Sequence, residues 1–440
     1  MSSSNDVQST QQPVVFVTRT AYPLPTQKYM IPTTWKRYHL SQLVNKALAL
    51  ATPIPFDFLV RGEILKASLG EWCAEHGVGE EETLEIEYIE SVLPPQKMSD
   101  FPHEDWVSSV LCDLQGYLLT ASYDGHVRAF DFSKNVVAAA PVHNAPITSL
   151  TLIPSTQNDT VTHMVATSSH DLTAAISRLA FDGAAPTSKT GVLATLHLHT
   201  APVSSVSSNT SGTHLLTSSW DGLIGLWDTT IPPTDEVPEP ENIGQERKKR
   251  RKVEDESKPR RKAPINVLKS HTARVSRVAF SEKQDAQIAY SCGFDSTVRV
   301  WDTENGICTH TITAAEKPFL DLAVSPDGNT ALAASTDRTL TPYDLRSGSS
   351  SLSNTSASFL HPATPSCIAF GRNGNQVVTG AYDGVVRVWD LRSTKGAVAS
   401  FKAWDGANKK VLGVDWKRGV VGVAGEGGVE VWKVGEEARN

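Results

Sequence analysis

The sequence is short of the patterns that build several common protein types. Its five cysteines (Cys73, Cys112, Cys292, Cys308 and Cys367) are odd in number and scattered, with no C-x-x-C pair. That spacing suits neither a disulfide framework nor a thiolate zinc site, and points to a reducing compartment in which these side chains simply pack. There is no apolar run of about 18 residues, the length a membrane-spanning helix needs. The opening MSSSNDVQSTQQP is polar and lacks the apolar stretch of a secretory leader. No P-loop, G-x-S-x-G elbow or cluster of metal-ligating residues occurs, so the expectation is a non-enzyme with no cofactor and no metal site of its own.

Positive charge is in deficit overall, with a formal net charge of −7, yet it is concentrated in one place. Residues 247–262 hold ten Lys/Arg against three Asp/Glu. A globally basic nucleic-acid binder is excluded; a local basic address or contact is not.

What the chain has in quantity is a repeat. SYDGHVRAFD (122–131), SWDGLIGLWD (219–228), GFDSTVRVWD (293–302), STDRTLTPYD (335–344) and AYDGVVRVWD (381–390) align without gaps. Each carries Asp third, then alternating apolar residues closing on an aromatic and Asp. SHDLTAAISR (169–178) has lost the aromatic, and GEGGVEVWK (425–433) has Glu426 for the Asp. The turn residues 124, 171, 221, 295, 337, 383 and 426 are separated by 47, 50, 74, 42, 46 and 43 positions. All but one spacing lies near the period of roughly 40–45 typical of WD repeats, which these segments resemble. β-rich runs such as YLLTAS, HLLTSS and QVVTGA precede the Asp, so each unit contains a hairpin on a tight Asp turn.

The resemblance implies a buried hydrogen-bond relay of His, Ser/Thr, Asp and Trp in each unit. His199, Ser219, Asp221 and Trp227 supply the full set; His271, Asp295 and Trp301, and Asp383 with Trp389, supply parts of it, Gly293 and Ala381 standing where Ser is expected. A catalytic triad would occur once. A constellation that recurs from unit to unit is structural. Seven units predict a closed seven-bladed propeller over 104–436. The last unit ends after its third strand, so a segment near 95–105, overlapping a linker at 93–103, is expected to supply the missing outer strand.

Residues 1–13 read as a disordered tail and 14–92 as a separate domain. VVFVTRT and KYMIPTTW alternate like a hairpin, SQLVNKALAL (41–50) has helical spacing with Ser41 as its N-cap, and FDFLVRGEIL, LGEWCAEHG and TLEIEYIE follow. The order resembles the ubiquitin-like β-grasp. The fold class is therefore mainly β, a seven-bladed WD-repeat propeller preceded by a small α+β domain. The wide spacing between Asp221 and Asp295 holds an insertion at 229–263, rich in Pro and charge, expected to be disordered. Arg247, Lys248, Lys249, Arg250, Arg251 and Lys252, with Arg260, Arg261 and Lys262, read as a nuclear localisation signal or an RNA-phosphate contact; the plain alternative is a solvated charged loop.

Lys36-Arg37-Tyr38, PFDFLVRGEIL, SLGEW, VLPPQ and EDWVSSV, in that order ahead of a propeller, resemble the Notchless-like (NLE) architecture. The chain is similar to the WD-repeat subunits of the pescadillo-containing (PeBoW) ribosome-assembly complex. That resemblance implies a nuclear, nucleolar and nucleoplasmic scaffold for 60S pre-ribosome maturation and pre-rRNA processing. Its implied partners are a Bop-type WD-repeat protein and pescadillo in a heterotrimer, pre-60S particles with rRNA contact as a further use, and the AAA ATPase midasin. In the family a Glu of the ubiquitin-like domain completes the coordination of the ion in midasin's adhesion-site (MIDAS) domain. The matching place in GVGEEETLEIEY (77–88) is Glu81, with Glu80 and Glu82 as alternatives; by themselves these residues read as a solvated turn. A ubiquitin-ligase substrate adaptor is the rival function.

Overall fold

The computed structural model describes residues 10–50, 53–91, 94–154, 162–181, 190–238, 258–283, 287–313, 317–345, 358–393, 396–405 and 408–435. The chain divides into two compact units, the first built on the residues up to Pro94 and the second on most of those from Pro95 to Lys433.

The first unit holds strands β1 (Gln11–Val17), β2 (Lys28–Pro32), β3 (Phe56–Val60), β4 (Glu63–Ile64) and β5 (Leu84–Glu90), with helices α1 (Arg37–Leu48) and α2 (Leu69–His76). The sheet order is β2-β1-β5-β3-β4, with β1 and β5 parallel and the other pairs antiparallel. Alternation in β1 turns Val14 and Phe16 inward, where they meet Ile31, Phe58, Ile86 and Tyr88, and α1 contributes Leu40 and Val44. This is a β-grasp.

Three local expectations are corrected. The strand begins at Gln11, not after residue 13, because the Gln12 side chain is buried (1% exposed) and hydrogen-bonded; residues 1–9 lie outside the described residues. Helix α1 starts at Arg37, with Lys36 as its cap. Ser41 lies inside it, and its hydroxyl accepts a hydrogen bond from Phe56 N at 3.1 Å. The well-formed cap is on α2: Ser68 Oγ accepts from Glu71 N at 3.3 Å, and Glu71 returns a bond to Ser68 N at 3.0 Å.

The second unit contains seven sheets among the described residues. Their first strands are Val107–Leu111, Ile147–Ile153, Val203–Ser208, Val275–Phe280, Phe319–Val324, Pro365–Phe370 and Val411–Lys417. Each first strand lies beside the next, and the last lies beside the first. The ring is closed. Every first strand carries a bulge near its start where it pairs with the second strand, a device that increases local twist. In the Asp-Gly turns glycine is required: Gly125 has φ +80°, and a Cβ there would collide with the His143 carbonyl oxygen. The last sheet takes its outer strand from Gln96–Phe101, which runs antiparallel to Gly428–Lys433 with Phe101 opposite Val429. Lys97 Nζ pairs with the buried Glu430 at 2.5 Å, and Phe101 packs on Phe130 at 5.3 Å.

The insertion at 229–263 is also corrected. Both its described ends are ordered. Arg260–Lys262 forms a fifth, parallel strand on the outer edge of the second sheet, opposite Ala194–Leu196. Lys262 is 2% exposed and forms an ion pair with Asp228. Asp235 Oδ1 accepts from Arg261 N at 3.0 Å, and Glu236 Oε2 accepts from Ala263 N at 2.9 Å. Charge does not prevent the burial of Lys262, because Asp228 neutralises it. Arg247–Lys252 lies outside the described residues.

Candidate functional site

The candidate acidic site is a tight turn between α2 and β5. Helix α2 ends on Gly77 in the left-handed region (φ +64°), and Glu82 N bonds back to Gly79 O at 3.2 Å. The turn is clamped from β1: the buried Gln12 amide donates to Gly79 O at 3.1 Å and to Glu82 O at 2.5 Å. Glu82 is committed elsewhere, its carboxylate 2.6 Å from the Arg61 guanidinium. Glu80 and Glu81 are exposed, and among the described residues neither side chain has a hydrogen bond or ion pair. A rigid backbone thus carries two uncommitted carboxylates at its tip. No group of three or more His, Cys, Asp or Glu among the described residues is placed to hold a metal ion. Such a tip can contribute a hard oxygen ligand to an ion held by another molecule, which is different from a site.

The other expected site residues lie inside the blades. His199 Nδ1 stands 3.1 Å from Asp221 Oδ2, His199 Nε2 is 2.9 Å from Thr217 Oγ1, and Trp227 Nε1 donates to the same hydroxyl at 2.9 Å. The hydroxyl that joins His to Trp is therefore Thr217, not Ser219. Ser219 Oγ instead donates to the Ala201 and Pro202 carbonyls, both at 3.0 Å. The positions are two apart, so both face the same side of the strand, and only the one farther from the turn reaches the indole. The same correction makes the next blade complete despite Gly293: His271 is 2.8 Å from Asp295 and 2.7 Å from Ser291, which also accepts from Trp301 Nε1 at 2.7 Å.

Thr120, Thr167 and Thr379 occupy the equivalent place opposite His103, His143 and His361, at 3.0, 2.9 and 3.1 Å. The signal was available, since the Thr recurs in YLLTAS, HLLTSS and QVVTGA. Asp383 departs from the scheme, meeting Arg387 at 2.8 Å.

Electrostatics in the relays are those of fixed charges. Burial works against ionised Asp221, but the hydrogen bond from His199 and backbone amides outweigh it and hold the carboxyl below its usual range. The same balance, with Arg128 and Ser122 as donors, brings Asp124 to about 2. Burial raises the Cys112 and Cys292 thiols well above their ordinary value and Cys367 to about 12, so these are packing residues rather than nucleophiles.

Two family models match the chain: NLE (NUC135) domain over residues 13–73, and WD domain, G-beta repeat, over 96–131, 191–228, 262–302, 306–341 and 355–390. The ribosome biogenesis protein YTM1 of Laccaria bicolor is 64% identical over 99% of this chain and 97% of its own length. The protein of that name from Saccharomyces cerevisiae is 32% identical over 91% of this chain and 92% of its own length. The chain belongs to the YTM1 family of ribosome biogenesis proteins. The matched repeats leave out the segment of SHDLTAAISR and the one of GEGGVEVWK. Both nonetheless form sheets of the ring. The NLE match stops at residue 73, so the acidic turn lies just past it, leading into β5 of the β-grasp sheet.

Proposed function

We propose that this YTM1-family chain is a non-catalytic scaffold for 60S pre-ribosome maturation and pre-rRNA processing. Its propeller docks on a Bop-type WD-repeat partner that holds pescadillo. Its β-grasp offers Glu81 to the ion of midasin's adhesion-site domain, so that ATP-driven motion in midasin can pull the factor off the particle. The observation that supports this reading is the clamped turn, in which Glu82 belongs to Arg61 and the tip carboxylates of Glu80 and Glu81 are free. A divalent ion with an open position takes such an oxygen in place of water, and a stiff backbone lowers the entropic loss on binding. The stretch Arg247–Lys252 serves nuclear and nucleolar import; Lys262, buried against Asp228, is not part of that signal.

The test is binding of the full-length chain to the midasin adhesion-site domain with Mg²⁺ and with EDTA. Glu81→Ala is expected to abolish Mg²⁺-dependent binding without lowering the melting temperature. Loss with Glu80→Ala instead would move the ligand by one residue. Undiminished binding by both variants would remove the handle. For import, a reporter carrying residues 240–265 is expected in the nucleus, and a cytoplasmic reporter would end that assignment.

A further inference from the structure

One mouth of the propeller is ringed in a regular way. In six of the seven sheets the residue before the turn Asp donates its N–H to the residue that precedes the innermost strand, and in the last sheet Glu426 itself donates to Lys410 in that way. The pairs include Tyr123 to Trp106, Trp220 to Pro202, Phe294 to Arg274 and Tyr382 to Thr364. These bonds hold two side chains per blade at the rim of the channel. Trp106, Tyr123, Trp220, Phe294 and Tyr382 are the large aromatics among them. Trp106, Trp220 and Tyr382 remain 42%, 43% and 41% exposed, although large aromatics are the side chains folding most favours burying. Trp106 packs on Tyr123 at 5.7 Å, and Trp220 meets the His170 ring at 5.5 Å.

Among these rings lies one half-buried cation. The Arg274 guanidinium stacks 3.3 Å from the Phe294 centroid and 5.3 Å from that of Trp220. Among the described residues no carboxylate pairs with it. Other cations of the rim are already neutralised: Lys317 by Asp337, and Lys410 by Glu426 at 3.8 Å. An arginine stacked over aromatic rings leaves its edge donors available, and a guanidinium takes a carboxylate through two parallel hydrogen bonds.

We propose that the protein partner of the propeller docks on this mouth and places there an acidic side chain flanked by apolar ones, its carboxylate on Arg274 and its neighbours on Trp220, Phe294 and Tyr382. The proposal rests on the reading that the propeller binds a WD-repeat protein. It favours protein over RNA because a phosphate backbone requires several free cations, whereas this rim also carries the exposed Glu104 and Asp105.

The probe is the purified Bop-type partner, titrated into the full-length chain. Arg274→Glu is expected to weaken binding by about tenfold or more, and Trp220→Ala by a similar factor, as for hot-spot residues. Both variants are expected to melt like the parent. Phe132→Ala, whose exposed ring sits in a turn at the opposite end of the sheets, is expected to bind normally. Parental binding that survives both Arg274→Glu and Trp220→Ala would overturn the mouth while leaving the partner reading intact, as would loss confined to Phe132→Ala. A parent chain that fails to bind the partner would overturn both. Arg274→Glu weakening retention of rRNA and not of the partner would also overturn it.

Discussion

His271 Nδ1 lies 2.8 Å from Asp295 Oδ2, and the other ring nitrogen of His271 meets the hydroxyl that Trp301 also touches. With Asp295 held ionised below the usual carboxylate range, His271 donates to it and accepts from Ser291, which in turn accepts from the indole. The direction of every bond follows from that charge. The chain of donors runs from Trp301 at the interior to Asp295 at the turn, tying two strands, the loop that carries His271 and the turn together.

Ser291→Ala removes the central member and leaves an indole N–H and an imidazole nitrogen buried without their partner. It should cost about 1–3 kcal/mol in urea unfolding. Thr217→Val should behave alike in its blade. Ser219→Ala, which loses its bonds to the Ala201 and Pro202 carbonyls and the one it accepts from Asp221 N but leaves the indole and the imidazole paired, should cost less than Thr217→Val. The reverse order would restore Ser219 to the relay.

Acid should weaken the fold in two stages. The His361 imidazole is pushed down to about 4, by burial first and by the Arg387 charge second, so folding favours its neutral form. Its contribution is complete above the ordinary value of about 6.5 and is lost as pH falls from there toward 4. Asp124 and Asp337, each brought to about 2, contribute fully above about 4 and lose that contribution as pH falls toward 2. Buried Asp321 and Asp415, held above the usual range, work in the opposite sense and favour the fold as they protonate. Melting temperatures taken from pH 7.5 to 3 should therefore decline first below about 6.5. In His361→Gln the decline between pH 6.5 and 4 should be shallower than in the parent.

Phe101 is 1% exposed on the strand that closes the ring. Phe101→Ala should lower stability by about 3–5 kcal/mol, the range for a buried aromatic truncated to methyl. Amide exchange should rise in Gly428–Lys433 before it rises in the other sheets.

Lys262→Ala leaves the partly exposed Asp228 carboxylate without its cation, and should destabilise by about 1–2 kcal/mol, less than the loss of one partner from a fully buried pair. It should also speed proteolytic cutting within 229–263, because Arg260–Lys262 loses its anchor. Lys262→Met combined with Asp228→Asn should recover most of the melting temperature. No recovery would mean the pair contributes more than mutual neutralisation.

The Asp turns were legible because they repeat and because their chemistry is local: a short polar side chain, then a residue that accepts positive φ. Ser219 was assigned the relay because it sits nearer the Asp in sequence, whereas reach to the indole is decided across two strands, where Thr217 faces Trp227. Arg260–Lys262 reads as part of a disordered basic signal, since composition alone cannot register a carboxylate 34 residues earlier that neutralises Lys262 inside the fold. Gln12 hid for the same reason. Its partners Gly79 and Glu82 lie 67 and 70 residues ahead, and only their meeting turns a polar tail into a strand and stiffens the acidic tip.

Lys97 and Glu430 are separated by 333 residues. During translation the strand Gln96–Phe101 emerges early and waits for a partner made near the end of synthesis. Until then the strand Val107–Leu111 also lacks the neighbour it will have in Val411–Lys417, and a row of open backbone groups faces the cytosol. Contacts this distant form slowly, and open sheet edges invite pairing with other chains. A premature stop codon anywhere before Gly428 yields a ring that cannot shut.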